Sequence, residues 1–283
     1  MIQLSIVVLT KNAAEKLPEC LESVHHLVEG MGEIVLLDGG STDKTLEVGK
    51  KYKARIFKQK PGSFDTWRNQ GKEVAKGEWL FYIDPDERVT PELRGEIESV
   101  TGPVARSSQP TSSSASWRIA GARWDSLRSH HPSPSYVAFA IPRRNFVFGK
   151  ELHHGGWWPD YVVRLMLRDK LIRWEGELHE QPKISGETGF LKNPFIHLKE
   201  DNLSDMVQKT NKWSRIEAKL LLESGHPKMT WWRFFRPVFT EIFDRLILKL
   251  GFLDGVPGVI FSIYQGWSRF ATYAKLWEMQ RRL

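Results

Sequence analysis

Short, unbroken apolar runs alternate with amphipathic stretches along the first hundred residues. Leu4 to Leu9 is continuous and rich in β-branched residues, the pattern of a strand covered on both faces. Leu17 to His26 has helical spacing, with Pro18 in the tolerated first turn. Glu33 to Leu37 reads as a second buried strand, and Asp38-Gly39-Gly40-Ser41-Thr42-Asp43 as a turn into a helix capped by Ser41 or Thr42. A strand at Arg55–Lys58, a helix from about Phe64 to Ala75 stopped by Gly77, and a strand at Trp79–Ile83 continue the alternation. Pro91 opens a further helix after the cap Thr90. This β-α-β-α rhythm predicts a mostly parallel, doubly wound sheet whose ligands gather at the carboxyl ends of the strands.

The rhythm breaks at residues 101–135, which hold ten Ser, four Pro and one acid, Asp125, and read as a long insertion. Strand character returns at Val137–Ile141; Gly155-Gly156 reads as a turn, and Tyr161–Leu167 as a strand or helix start. Asp201 to Glu223 has the spacing of an amphipathic helix. Beyond Pro227, Trp231-Trp232, Phe234-Phe235 and Ile242 to Leu250 are interleaved with Arg233, Arg236, Arg245 and Lys249. That mixture suits a helix lying in a membrane interface, while helices packed on the domain or on a second copy are the alternative. Lys249 and Asp254 interrupt the best apolar stretch, so no spanning helix is expected.

Composition narrows the function classes. With 283 residues and 41% hydrophobic content the chain can bury a sizeable core. One cysteine, Cys20, leaves no internal disulfide and no cysteine-rich metal site. The start, Met1-Ile2-Gln3-Leu4, has no leader pattern, so an intracellular protein is expected. The net charge of +7 is uneven: residues 1–100 hold 14 Lys/Arg against 17 Asp/Glu, for −3, residues 101–227 hold 18 against 13, for +5, and residues 228–283 hold 9 against 4, for +5. The acidic first third and the lack of a nucleic-acid motif argue against a nucleic-acid partner.

The candidate chemistry lies at strand ends. Thr10, Asn12, Asp38 and Asp84 fall on one predicted edge, as a nucleotide site requires. Asp84-Pro85-Asp86 places two carboxylates directly after the apolar run Trp79–Ile83, where a divalent cation carrying a phosphorylated substrate would satisfy them; taken alone it also reads as a hydrated turn around Pro85. The adjacent His153-His154 would point to opposite faces of an extended chain, and no further Cys/His pair supports a zinc site.

Taken together, Ser5–Asn12, Asp38–Asp43, Arg68-Asn69 and Asp84-Pro85-Asp86 resemble the nucleotide-sugar half of glycosyltransferase family 2, in order and spacing over roughly residues 3–95. Ile141-Pro142-Arg143-Arg144, Gly155–Tyr161, Glu175–Glu180 and Gly251–Gly255 resemble more narrowly the subgroup containing lipopolysaccharide core glucosyltransferases. The resemblance implies a GT-A type α/β/α sandwich with C-terminal amphipathic helices: a catalytic domain over 1–200, with a nucleotide-sugar half to 100 and an acceptor half from 136, then a membrane-associating region over 201–283. It implies inverting transfer, expected to be of a hexose from a UDP-sugar to a lipid-linked or envelope glycan, while the basic, aromatic C-terminal region would bring the enzyme to the anionic cytoplasmic face of a membrane. Transfer to a polyisoprenyl phosphate or a protein side chain, or a silent nucleotide-sugar-binding module, are the other readings.

On the same resemblance Thr10, Asn12, Asp38 and Gly40 would hold the nucleoside and Arg68 the base or diphosphate. Mg²⁺ or Mn²⁺ would sit on Asp86, with Asp84 on ribose or a metal-bound water and His179 as a third ligand or a partner of Glu180. Asp160 matches the acceptor-site acid and would act as base, with Glu180 and Glu177 next; Trp157 or Trp158 would stack on a sugar or belong to the core. Gly39 stands where many relatives carry a second acid, which removes one contact to ribose or base.

Overall fold

The structure is a computed structural model that describes residues 2–102, 136–178, 180–200 and 202–282. The Ser/Pro-rich insertion, apart from its first two residues, and His179 therefore lie outside the described residues. The chain divides into two compact units, residues 1–142 with 161–195, and residues 143–160 with 196–283.

In the first unit, β1 (Leu4–Thr10), α1 (Leu17–His25), β2 (Gly32–Asp38), α2 (Thr45–Lys51), β3 (Arg55–Lys58), α3 (Phe64–Val74) and β4 (Trp79–Ile83) follow one another as the alternation predicts. β5 (Glu87–Val89) and α4 (Pro91–Thr101) come next, then β6, which starts at Tyr136 and ends at Val147. β7 is the short Lys150–Glu151, and β8 (Asp160–Leu167), β9 (Leu171–Glu175), β10 (Gln181–Ile184) and β11 (Glu187–Phe190) follow. The sheet runs β3-β2-β1-β4-β8-β6. β1 pairs in parallel with β2 and β4, and β2 with β3, whereas β8 is antiparallel to β4. This is the mixed, mostly parallel α/β sheet expected.

Every residue of β1 is buried, and its side chains divide by alternation between two cores. Ile6 and Val8 join Leu17, Leu21 and Leu93 on one face; Val7 and Leu9 join Tyr82 and Trp174 on the other. Glycine permits the close approach of one helix: a Cβ on Gly71 would stand 2.6 Å from Val7 Cγ1, so α3 lies directly on β1. Thr90 caps α4 as predicted, its hydroxyl accepting from Leu93 N–H at 3.2 Å.

One local expectation is corrected. α2 begins at Thr45, not at Ser41 or Thr42, because those two hydroxyl residues are engaged by Asp38 and Asn12 and Asp43 accepts from Thr45 N–H instead. The short strand β5, Glu-Arg-Val, has no apolar run to announce it.

In the second unit β12 (Phe195–Glu200) leads into α5 (Leu203–Glu223), α6 (Trp231–Phe243) and α7 (Gly255–Gln280). A π-helical turn at Asp244–Leu248 and a 3-10 turn at Gly251–Asp254 join the last two helices. Phe261 and Tyr264 of α7 pack with Met206 of α5 and with Val147, Leu152 and Trp157. The Tyr264 hydroxyl meets Thr210 at 2.6 Å.

Candidate active site

The carboxyl ends of β1 and β2 lie side by side, with Thr10 opposite Asp38 in the register. Asp38 is buried and shapes the loop that follows it. Its Oδ2 accepts from the N–H groups of Gly40 and Ser41, each at 2.9 Å, and its Oδ1 accepts from the Ser41 hydroxyl. Gly40 has φ +84°, a conformation in which a side chain is strained. Asn12 ties the β1 loop to the same turn: its N–H donates to Ser41 Oγ and its Oδ1 accepts from Thr42 N–H, both at 2.8 Å. Thr10, Asn12, Asp38 and Gly40 are therefore brought together, and Asp38 and Asn12 spend their polar atoms on the shape of the loop. A Cβ at Gly39 would lie 2.7 Å from Gln59 Oε1, so Gln59 occupies the space beside the missing second acid.

A second group forms at the end of β4. Asp84 accepts from Arg164 Nη2 at 2.6 Å and from Arg68 Nη2 at 3.3 Å. Arg68 Nε donates to Glu180 at 2.8 Å, and Arg164 Nη2 reaches the fully buried Glu87 at 3.2 Å. Arg68 is 3% exposed, and its guanidinium stands 4.9 Å from the Trp174 ring centroid. Three carboxylates against two guanidiniums leave this cluster with a charge of −1. Burial works against the charged Arg164, but Asp84 and Glu87 outweigh it and hold its pKa above the ordinary value. Among the described residues Arg68 Nη1 and Arg164 Nε are buried N–H groups without an acceptor. Asn69 serves the frame instead, exchanging two hydrogen bonds with the Trp174 backbone at 2.8 and 2.9 Å.

Asp84, Arg68 and Glu180 thus meet, whereas Glu180 and Asp84 are committed to arginine rather than free for proton transfer or direct metal ligation. Asp86 is half-buried two residues on. No group of three His, Cys, Asp or Glu that would enclose a metal occurs among the described residues. A cation completed by substrate phosphates and water needs only one or two protein carboxylates. Cys20, buried behind this edge, donates to the Asp84 carbonyl at 3.4 Å, and burial pushes its thiol pKa up, so it is inert.

Asp160 belongs to the second unit and has its own surroundings. Arg143 donates to its Oδ2 from Nε at 2.9 Å and stands within 2.7 Å through Nη2, and Asn145 Nδ2 donates to the same oxygen at 2.9 Å. Asn145 is in turn fixed by His197 Nδ1 at 2.8 Å. The Arg143 and Asn145 contacts to Asp160 all fall on one carboxylate oxygen. Trp157 belongs to the core, 4.9 Å from Phe261, while Trp158 is exposed. His153 and His154 do part company, His154 to Asp254 at 2.8 Å and His153 toward Glu151 at 3.7 Å.

The model of the family described as glycosyl transferase family 2 matches residues 5–103. That likeness is to this stretch alone, and the chain is a glycosyltransferase. The match covers β1 through α4, the whole of the loop and Asp84 groups except Arg164, Trp174 and Glu180. Along 278 residues the chain is 21% identical to an uncharacterized glycosyltransferase of Rickettsia felis, covering 98% of this chain and 90% of that one. A PGL/p-HBAD biosynthesis glycosyltransferase of Mycobacterium tuberculosis is 34% identical over 90 residues, 29% of this chain and 35% of its own. Among solved structures, S. aureus TarS 1-349 in complex with UDP-GlcNAc aligns over 100% of this chain and 92% of its own, at 13% identity and a TM-score of 0.46.

Arg164, Glu87 and Asn145 were not apparent as site residues in the sequence. Arg164 did carry a signal, a lone charge inside the otherwise apolar Val162-Val163-Arg164-Leu165-Met166-Leu167.

Proposed function

We propose that this glycosyltransferase moves a hexose from a nucleoside diphosphate donor, UDP in the first instance, to a hydroxyl of a lipid-linked or cell-envelope glycan, with inversion. The observation that carries the reading is Arg68 Nη1, a buried guanidinium N–H with no acceptor among the described residues, at the strand edge that bears Asp84 and Asp86. Leaving such a donor unpaired costs about 1–3 kcal/mol, and a diphosphate oxygen relieves that cost.

In this reading the loop built by Asp38, Asn12 and Gly40 receives the nucleoside through its backbone and Thr10. Arg68, held in orientation by Glu180 and Asp84, binds the diphosphate. Asp86 would hold Mg²⁺ or Mn²⁺, which would supply positive charge against the departing diphosphate. Asp160 takes the acceptor hydroxyl proton as that oxygen attacks the anomeric carbon from the face opposite the diphosphate. Arg143 and Asn145 clamp Oδ2, which leaves Oδ1 to receive the proton.

Donor hydrolysis and transfer tests this directly: purified protein incubated with radiolabelled UDP-hexoses and a membrane-glycan extract should release UDP and label the extract. No turnover of any nucleotide sugar would overturn the reading in favour of a silent binding module.

A further inference from the structure

The C-terminal helices carry apolar side chains on their outside. α6 has no buried residue. Its Phe234 meets Phe270 at 6.0 Å, and its Ile242 fills the gap beside Gly266, so one face rests on α7. Trp231, Phe235, Phe239 and Phe243 recur every four residues on a neighbouring arc, and all are exposed, Trp231 at 71% and Phe239 at 64%. α7 is apolar on two opposite faces. Phe261, Thr272 and Leu276 are buried, whereas Val256, Ile260, Ile263, Trp267 and Phe270 recur at spacings of three and four and are exposed. Leu250, Phe252 and Leu253 stand exposed at the bend between the two helices.

No single helix among the described residues is long and apolar enough to cross a membrane, but Trp231–Leu248 and Gly251–Gln280 together pass that test of length and composition, bent by 68°. An exposed apolar surface of this extent marks a binding face. Its flank is basic: residues 228–283 hold 9 Lys/Arg against 4 Asp/Glu. Arg233 and Arg236 line a cleft of about 370 Å³ with His226, Thr240 and Tyr273. The Arg236 guanidinium has no hydrogen bond or ion pair among the described residues.

We propose that α6, the bend and α7 lie in the surface of an anionic bilayer, with the aromatic arc at the acyl boundary and Arg233 and Arg236 taking a lipid phosphate in the flanking cleft. The aromatic arc flanked by arginines has the composition of a helix lying in an anionic membrane interface. A face bent by 68° with protruding apolar side chains also suits a fluid partner. The inference is independent of the transferase reading, since no donor or acceptor enters it.

The test is co-sedimentation of the full chain with phosphatidylcholine vesicles with and without phosphatidylglycerol, in the absence of any nucleotide. Binding is expected to anionic vesicles and to weaken with salt. The pair Phe235→Ser and Phe239→Ser should lower it by more than about tenfold. Arg233→Gln with Arg236→Gln should lower it by roughly tenfold or more on anionic vesicles while leaving the weak binding to neutral ones unchanged. Quenching of the wild-type tryptophans by brominated lipid gives a second measure that needs no variant. Absence of sedimentation and quenching, or sedimentation indifferent to both pairs of changes, would overturn the proposal. A dimer by light scattering that the phenylalanine changes dissociate would give the face to a second copy.

Discussion

Arg164, in the middle of β8, donates to Asp84 at 2.6 Å across eighty residues of sequence. The antiparallel pairing of β8 with β4 puts that buried cation beside the strand end where two acids emerge. The contact divides the labour of Asp84-Pro85-Asp86. Asp84 is held by Arg164 and Arg68, and the proposed function gives the incoming cation to Asp86 two residues on.

That division predicts opposite phenotypes for the two aspartates. Asp84→Ala removes the carboxylate that two buried guanidiniums share, leaving Arg68 only Glu180 and Arg164 only Glu87, and should cost about 3 kcal/mol in urea unfolding. Asp86→Ala should stay within about 1 kcal/mol of wild type. Equal losses would show that Asp86 is structural as well.

Asp160→Asn keeps the shape and the Arg143 contact but removes the proton acceptor. Transfer should fall by at least about 100-fold, with nucleotide affinity by calorimetry unchanged. A variant that transfers at the normal rate would exclude Asp160 as the base.

The loop after β2 depends on one backbone conformation. A Cβ at Gly40 would meet nothing within 4 Å, so Gly40→Ala introduces strain at φ +84° without a clash. We expect a loss of about 1–2 kcal/mol in stability and a weaker response to nucleotide. Unchanged unfolding and binding would show that the loop tolerates another path.

Acid should loosen the second unit through Asp254. Burial raises its pKa, but hydrogen bonds from the His154 ring and backbone outweigh that and hold it below its ordinary value. A carboxyl depressed in the folded state stabilises above its ordinary pKa, and that contribution is lost as pH falls through about 4 and below. Melting temperatures between pH 6 and pH 3 should therefore fall more steeply for wild type than for Asp254→Asn. Parallel curves would remove this linkage.

The strands β1, β2 and β4 were legible because a strand buried on both faces carries a nearly continuous apolar run. Asp38 and Asp84 were legible as polar residues just at the ends of such runs, whereas Arg68, inside α3, was marked only by the family resemblance. What was not legible depends on partners distant in sequence. Ser41 and Thr42 have the spacing of helix caps, yet their partners are Asp38 and Asn12 across a loop. Glu180 read as a second base, yet it lies on Arg68, 112 residues away in sequence. The motifs around Gly155 and Asp254 read as separate pieces, yet one latch joins them through His154 and through Gly155 N–H, which donates to the Lys249 carbonyl at 2.8 Å. Periodicity carries the face of an element and says nothing of which distant charge meets it.

The most direct test is the thermal stability of the purified chain with UDP, GDP, ADP, CMP and dTDP, each with and without Mn²⁺. The account predicts a metal-dependent rise in melting temperature with one nucleoside diphosphate, equivalent to about 2.7 kcal/mol at a hundred times the dissociation constant, and its disappearance in Asp86→Ala. A shift that is the same without metal, or that survives Asp86→Ala, would contradict the assignment of Asp86, and no shift with any nucleotide would contradict the donor site itself.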